Sequence, residues 1–164
     1  MTINSTIKAG FSKVAGSLVR GNDHRPNQQL VRIEPSLTDP INYEYGIPLK
    51  LTTETQKYDG LRPIGVMALA NTPKEEILGF AILDNRQASK FLTAGALITV
   101  MKGNTAYDVI NVLIEAGETI EAGDELEFFP ANKTYKKKTT GTGVLKALEG
   151  GAGGDVLSAQ SLIA

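Results

Sequence analysis

Short apolar runs separated by glycine, proline and asparagine recur along most of this chain. Their length and close spacing are typical of the strands of an all-β sandwich or barrel. One stretch differs, because Asp84 and Asn85 can cap two helical turns at residues 86–92. The pattern predicts a mainly β fold, a small β-barrel or sandwich body with one short helix. Strands are predicted at residues 47–52, 63–70, 77–83, 96–101, 106–114, 125–129, 134–138, 143–148 and 155–162.

A doubled turn stands out within this pattern. Residues 115–118 read Glu-Ala-Gly-Glu and residues 121–124 read Glu-Ala-Gly-Asp, with Ile120 as an apolar residue between them. Each Ala-Gly step offers a residue that takes a positive φ at low cost, as tight turns require. The strand before the doubled turn is apolar apart from Asn111. We interpret this stretch as two turns stacked on one end of a barrel, with a structural rather than a chemical role.

A short internal echo links the middle of the chain to its end. Residues 79–83 and 96–100 are apolar runs joined by a connector that ends in glycine. Residues 143–148 and 155–159 repeat this order around a second glycine-bearing connector. The echo favours a closed, pseudo-repeated sheet.

The beginning of the chain follows a different pattern. Ile3, Ile7, Phe11 and Leu18 are spaced roughly as on a helix face, which allows a weak amphipathic helix over residues 5–19. Two glycines within it lower the stability of such a helix. Two interpretations remain open, a disordered tail or an extended arm that becomes ordered against a partner surface.

Charge is balanced over the whole chain but unevenly distributed along it. The 17 Lys and Arg residues against 18 Asp and Glu residues imply no overall attraction to nucleic acid or to a membrane. Residues 1–32 carry five bases and one acid, residues 33–132 seven bases and fifteen acids, and residues 133–164 five bases and two acids. A basic leading segment is typical of an interaction tail. We divide the chain into an extended basic N-terminal arm, residues 1–40, and a β-barrel-like body, residues 41–164.

Composition excludes several classes of protein. The chain has no cysteine, so it has neither disulfides nor thiolate metal sites. The first residues lack the apolar core of a secretory signal, and no run approaches the ~18 apolar residues that span a bilayer. We expect synthesis in a cytoplasm. Five Phe, five Tyr and no Trp are few rings for stacking on sugars or bases.

Few residues suit catalysis or metal binding. The single histidine, His24, lies in a polar turn of the arm, where a catalytic triad has no ordered support. The six acids of residues 115–127 do not follow the spacing of a calcium loop, so we interpret them as solvated turn acids. We therefore predict a protein that is not an enzyme and has no metal and no cofactor.

Two further runs have structural interpretations. Residues 150–154 are glycine-rich but lack the lysine and the strand-to-helix context of a phosphate-binding loop, and we interpret them as a surface connector. Lys136, Lys137 and Lys138 lie on a predicted strand. They either protect a sheet edge from pairing or face acidic neighbours.

Three motifs follow one another in the body of the chain. Residues 46–51 read Gly-Ile-Pro-Leu-Lys-Leu, residues 114–126 contain the doubled turn, and residues 143–162 join two apolar runs through a Gly/Ala bridge. Their order resembles that of the head-decoration, or structural cement, proteins of tailed bacteriophages. The resemblance covers roughly two-thirds of the chain, from about Tyr45 onward, and leaves out the arm.

The resemblance implies a non-enzymatic virion component. It would bind the outside of a phage capsid where subunits of the major capsid protein meet, and it would stabilise the shell. Its partners would be the major capsid protein and neighbouring copies of itself, as a dimer or trimer, with no nucleic acid and no membrane. It would be made in the host cytoplasm and reside on the capsid exterior. On this hypothesis the arm binds its partners through Lys8, Phe11, Lys13, Leu18, Arg20 and Arg25.

Two other classes of protein stay open at this point. One is an all-β tail or baseplate adaptor, which differs from a decoration protein in symmetry. The other is a small barrel that binds carbohydrate or another ligand. Such a barrel needs an exposed aromatic platform, for which Tyr43, Tyr45 and Tyr58 are the closely spaced rings.

Overall fold

The computed structural model describes residues 15–18, 27–35, 46–82 and 93–164. These residues are mainly β, as predicted, with thirteen strands and one 3-10 helical turn at Lys74–Glu76. The predicted helical turns at residues 86–92 lie outside the described residues. The first six strands are β1 (Gln28–Ile33), β2 (Pro48–Leu51), β3 (Tyr58–Asp59), β4 (Arg62–Met67), β5 (Ile77–Ala81) and β6 (Leu97–Met101). They are followed by β7 (Val109–Leu113), β8 (Thr119–Ile120), β9 (Glu125–Phe129), β10 (Thr134–Lys137), β11 (Leu145–Ala147), β12 (Gly151–Ala152) and β13 (Val156–Ser161).

The first six strands form a closed barrel with one outlying strand. The order around the ring is β1-β6-β5-β2-β4, and neighbours are antiparallel except for β1 and β4. Parallel pairing of Arg32 with Ile64 and of Ile33 with Gly65 closes the ring. β3 pairs with β4 and extends this sheet beyond the ring as a hairpin.

A second closed barrel follows in the chain. Its strands are antiparallel in the order β10-β9-β11-β13-β7. The ring closes where Ile114, just after β7, pairs in parallel with Tyr135 of β10. The Glu115 N–H donates to the Tyr135 carbonyl at 2.8 Å beside this bridge. β8 of the doubled turn and β12 of the glycine-rich connector pair as a separate ribbon.

The two barrels share one topology and one register. The five ring strands are β1, β2, β4, β5 and β6 in the first barrel, and β7, β9, β10, β11 and β13 in the second. In both barrels the first of these strands pairs in parallel with the third and antiparallel with the fifth. The second ring strand pairs with the third and the fourth, and the fourth ring strand pairs with the fifth. Following the pairings around each ring returns the same matches, apart from a register shift between Leu49 and Lys50 in the first barrel. The matches include Leu30 with Asn111, Val31 with Val112, Ile33 with Ile114, Gly65 with Tyr135, Leu49 with Leu126 and Ala81 with Ala147.

The turn before the second strand of each barrel is also repeated. The Gly46 N–H donates to the Ala81 carbonyl, and the Gly123 N–H donates to the Ala147 carbonyl, both at 2.7 Å. Gly46 and Gly123 have φ angles of 93° and 95°, a left-handed conformation that favours glycine. The turn at Gly46 and the second Ala-Gly turn at Gly123 look unrelated in sequence, but they are the same structural element in the two barrels.

The predicted echo corresponds to this repeat. β5 and β6 occupy the positions in the first barrel that β11 and β13 occupy in the second. A clearer copy of the repeat was missed, namely Val-Arg-Ile-Glu at residues 31–34 and Val-Leu-Ile-Glu at residues 112–115. It was missed because its first copy lies in the range assigned to the arm.

Part of the predicted arm belongs to the first barrel. β1 lies within residues 1–40 and pairs with both β4 and β6. Of the rest of that range, residues 15–18, 27 and 34–35 are described, and the others lie outside the described residues. The nine strands predicted in the body all occur, most of them shorter than predicted.

One apolar core runs through both barrels. The Tyr135 ring is buried at the junction, with its centroid 6.4 Å from that of Phe80 in the first barrel and 5.3 Å from that of Phe128 in the second. Its hydroxyl donates to the Gly46 carbonyl at 2.6 Å. Burial raises the pKa of Tyr135 well above its ordinary value, which keeps this donor protonated.

Asp108 joins the barrels at a second point. This side chain is fully buried, and it accepts hydrogen bonds from the Asn27 N–H at 2.8 Å and from the Thr105 hydroxyl at 2.7 Å. Asn27 immediately precedes β1, and Asp108 immediately precedes β7. The equivalent first strands of the two barrels are thus tied together where they begin.

Tyr135→Phe removes the hydroxyl that bridges the barrels and keeps the ring. We expect the free energy of unfolding to fall by about 1–2 kcal/mol, because the buried Gly46 carbonyl loses its donor. Urea unfolding followed by circular dichroism measures the change. Tyr58→Phe is the matched control, since Tyr58 is 54% exposed, and we expect a change within ~0.5 kcal/mol. Equal losses in the two variants would contradict the bridging role.

Candidate interaction surface

The described residues contain no cluster of His, Asp or Glu that is placed to hold a metal ion. His24 lies outside the described residues. Of the described helical segments, none has the length and apolarity needed to cross a membrane. Tyr43 and Tyr45 also lie outside the described residues, and Tyr58 is half-exposed on β3. Two features of the described surface stand out, the acidic end of the second barrel and the docked segment on β7.

Three lysines that follow one another pair with three acids of the second barrel. This arrangement confirms the acidic neighbours that were one of the two interpretations of the lysine run. β10 ends its five-stranded sheet and is joined to the β7 side by the bridge between Tyr135 and Ile114. The nitrogen-to-oxygen distances are 3.4 Å for Lys136 with Glu127, 3.4 Å for Lys137 with Asp124 and 3.5 Å for Lys138 with Glu125.

Glu127 is buried, which corrects the interpretation of all six acids as solvated. The N–H groups of Gly141 and Thr139 donate to its carboxylate, and Lys136 lies opposite on β10. Burial on its own would raise the pKa of Glu127. The two backbone donors and Lys136 outweigh this effect, so the pKa lies below the ordinary value of 4.5.

Glu115 holds the first turn of the doubled turn in a similar way. The Thr134 hydroxyl and the Asn132 amide donate to its carboxylate. The hydrogen bond from Thr134 is the main cause of the lowered pKa of Glu115, which burial partly opposes. Both carboxylates, that of the buried Glu127 and that of the half-buried Glu115, accept hydrogen bonds from within the second barrel.

Acid should destabilise the protein in part through Glu127. Because its pKa is lower in the folded state, its contribution is complete above the ordinary value of 4.5 and is lost as the pH falls through the folded pKa. Glu127→Gln should therefore show a smaller drop in the free energy of unfolding between about pH 5 and about pH 3. Urea unfolding at each pH measures this drop. Glu121→Gln changes an exposed turn acid and should follow the unaltered protein; if both variants behave alike, Glu127 is not the cause.

Backbone amides of the glycine-rich connector, residues 150–154, donate hydrogen bonds within the chain. β12 within it pairs with β8. The Gly153 N–H donates to the Glu118 carbonyl at 2.8 Å, and the Gly154 N–H donates to the Ile114 carbonyl at 2.9 Å. These amides are not available to a phosphate, in agreement with the structural interpretation of this run.

A four-residue piece of the predicted arm lies along β7. Leu18 forms an antiparallel bridge with Ile110. The Gly16 N–H donates to the Asn111 carbonyl at 2.7 Å, and the Asn111 N–H donates to the Ser17 carbonyl at 2.9 Å. The segment joins β7 through a turn and a single β-bridge, so the helix considered over residues 5–19 does not include residues 15–18.

Asn111 explains why one polar residue interrupts the apolar strand. Its side-chain amide donates to the Ser17 hydroxyl at 2.8 Å, and its side-chain oxygen accepts from the Ser158 hydroxyl at 2.9 Å. Asn111 is buried, so these bonds satisfy a group that would otherwise be costly. Its isolation in the sequence was a signal, but its partner Ser17 lies 94 positions away.

Gly46 of the first barrel forms the other wall of this docking site. A Cβ atom added at Gly46 would lie 3.0 Å from the Gly16 nitrogen. Gly16 is buried, and Leu18 packs partly buried against the core. Of the six residues predicted to bind a partner, Leu18 is therefore held by its own chain. The other five, Lys8, Phe11, Lys13, Arg20 and Arg25, lie outside the described residues.

An open groove of about 600 Å³ lies beside the β3 hairpin. Arg32 of β1 lines it and pairs with Asp59 of β3, with 2.7 Å between Nε and Oδ2. The same Arg32 guanidinium donates to the Gly95 carbonyl. The groove is polar, and its main cation is already paired with an acid and a carbonyl.

The described surface offers paired charges and a segment docked on β7. Comparison with known proteins adds no relative, since no family model and no curated protein match this sequence.

Gly46→Ala should displace residues 15–18 from β7. Both Gly46→Ala and Gly123→Ala place alanine at a positive φ, and we expect each to lose about 1 kcal/mol of stability for that reason. Only the Cβ atom at Gly46 also meets Gly16, whereas one at Gly123 has nothing within 4 Å. Hydrogen exchange of the Asn111 amide, which donates to Ser17, should accelerate in Gly46→Ala alone. Unchanged exchange in that variant would show that Gly46 does not hold the segment.

Proposed function

We propose that this chain is a non-enzymatic decoration protein that binds the outside of a tailed-phage capsid at contacts between major capsid protein subunits. The supporting observation is that the motifs of the resemblance are framework elements of two fused barrels. Residues 46–51 lead into β2, the doubled turn joins β7 to β9, and residues 143–162 span β11 to β13. Such a body presents surfaces at fixed spacing.

The stabilisation is multivalent. A decoration protein that binds the assembled shell and not its dissociated subunits shifts the equilibrium toward the shell by mass action. Each contact can be modest, because many copies on one particle act together. A shared core across two barrels suits this role, since a flexible joint would absorb strain instead of resisting it.

The basic arm supplies the polar part of the contact. Lys8 and Lys13 precede the docked segment in sequence, and Arg20 and Arg25 follow it. Leu18 and its neighbours fix this stretch against β7, so the bases on either side of it start from one defined point of the body. Acidic grooves between capsid subunits, or the acidic body of a neighbouring copy, are the complementary surfaces.

Undecorated mature capsids of the virus that encodes the chain provide the test. We expect the purified protein to sediment with them and to give density at local two-fold or three-fold positions in electron micrographs. Protein that stays in the supernatant at micromolar concentration would refute the proposal. Density confined to the tail or to one vertex would favour the tail or baseplate adaptor instead.

The same assay tests the arm. Its bases are substituted and the segment is not deleted, because β1 of the first barrel begins at Gln28, within the range assigned to the arm. Replacing the four arm bases by serine should weaken binding roughly tenfold or more at low salt. The control replaces four exposed bases of the barrels and should bind like the unaltered protein. Equal weakening in both variants would assign the effect to total charge. The arm bases are Lys8, Lys13, Arg20 and Arg25, and the control bases are Lys57, Arg62, Lys74 and Lys146.

A further inference from the structure

One leucine lies fully exposed at the tip of the β3 hairpin. Gly60 and Leu61 form the two-residue turn of this hairpin, since Asp59 pairs with Arg62. Gly60 supplies the positive φ of the turn, 64°, and a polar residue is the usual choice at such an exposed position. Leu61 is 100% exposed, so its own chain does not bury it. In the second barrel β9 and β10 are joined by residues 130–133, so the hairpin is an addition to the shared framework.

The hairpin is held in one position against the first barrel. Nε of Arg32 in β1 lies 2.7 Å from Oδ2 of Asp59 in β3. The Ile64 N–H donates to the Lys57 carbonyl at 2.8 Å on the other side of the hairpin. An anchor that is already ordered loses less conformational entropy when it binds a partner.

Leu148 in the second barrel is exposed at a position that the first barrel buries. The Ile82 N–H donates to the Thr99 carbonyl, and the Leu148 N–H donates to the Ser158 carbonyl, both at 3.0 Å. Thr99 and Ser158 hold the same register position in the two barrels, so Ile82 and Leu148 are equivalent. Ile82 is 8% exposed, whereas Leu148 is 45% exposed. The repeat therefore marks Leu148 as an apolar side chain without the cover that its counterpart has.

Acidic residues predominate beside Leu148. Residues 115–125 and 149–155, which form the doubled turn and the glycine-rich connector, contain seven acids and no base. The exposed Glu121 lies near this leucine, because the turn that follows Glu121 donates to the Ala147 carbonyl. Two lysines of β10 pair with two of the seven acids, so this end of the barrel remains negative.

The hairpin tip carries the opposite charge. Lys57 and Arg62 are exposed on either side of Leu61 in the sequence. The acid between them, Asp59, is already paired with an arginine of β1. Glu54, the preceding acid, lines the groove beside the hairpin. A basic tip that ends in a leucine complements an acidic surface that contains an exposed leucine.

We propose that the β3 hairpin of one copy binds the acidic end of the second barrel of another copy, with Leu61 packed against Leu148. Arg62 then faces Glu121 and the acids around it. Each chain has one hairpin and one such surface, on different barrels, so the contact is head-to-tail and links copies into a ring or a row. A second copy is the occupant because the chain itself presents both complementary surfaces. The contact needs no capsid, so it is tested apart from the proposed function.

Reversed charges test the contact in the full chain without capsids. Arg62→Glu and Glu121→Lys should each weaken self-association roughly tenfold or more at low salt, because each places like charges in the contact. A mixture of the two variants should recover pairwise association, since the reversed hairpin of one meets the reversed surface of the other. Sedimentation equilibrium from micromolar to millimolar concentration measures each case. A mixture that stays as weak as its components, or an unaltered chain that stays monomeric at millimolar concentration, would refute the contact.

Leu61→Ser tests the apolar part of the contact. It removes the anchor at a fully exposed turn position, and we expect roughly tenfold weaker self-association. Leu69→Ser is the matched control, since Leu69 of the same barrel is 54% exposed, and it should associate like the unaltered chain. Circular dichroism of each variant checks its fold. Equal weakening in the two leucine variants would assign the effect to general hydrophobicity and remove the hairpin from the contact.

The capsid assay answers a separate question. A chain that associates with itself but does not bind capsids loses the proposed function and keeps this contact. A chain that binds capsids but shows no association through the hairpin loses the contact and keeps the proposed function.

Discussion

Tyr135 holds the two barrels together as one body. Its backbone closes the second barrel against Ile114, its ring lies between Phe80 and Phe128, and its hydroxyl reaches the Gly46 carbonyl. The equivalent residue of the first barrel is Gly65, where even a Cβ atom would lie 2.8 Å from the Val31 side chain. A large ring therefore fits in one copy of the repeat only. This difference lets two similar barrels pack as unlike partners around a single core.

The repeat separates the framework, meaning the features that both barrels share, from the additions that only one barrel has. Both barrels keep the parallel closure and the left-handed glycine turn before the second strand. Only the second barrel pairs acids with the lysines of β10, and only the first carries the β3 hairpin. Since the framework is common to both copies, these additions are where the two barrels differ in what they can contact.

Ring closure limits the free strand edges of both barrels. A closed barrel removes most free edges, which protects a protein from uncontrolled pairing. Here each ring closes through a short parallel contact at its first strand. In the second barrel, residues 16–18 bond to this strand at Ile110 and Asn111.

The sequence by itself determined the elements that depend on neighbouring residues. Apolar alternation predicted nine strands, and the Ala-Gly steps predicted tight turns. The lysine run allowed two interpretations, a protected edge or acidic neighbours, and the structure shows the acidic neighbours. The tertiary structure alone decided which strands close each ring, that β1 belongs to a barrel, that Glu127 is buried, and that Ser17 meets Asn111. The physical reason is that turn conformation and burial pattern are encoded locally. Strand pairing uses backbone groups that every residue other than proline offers alike, so a partner distant in sequence is identified only when the chain is folded.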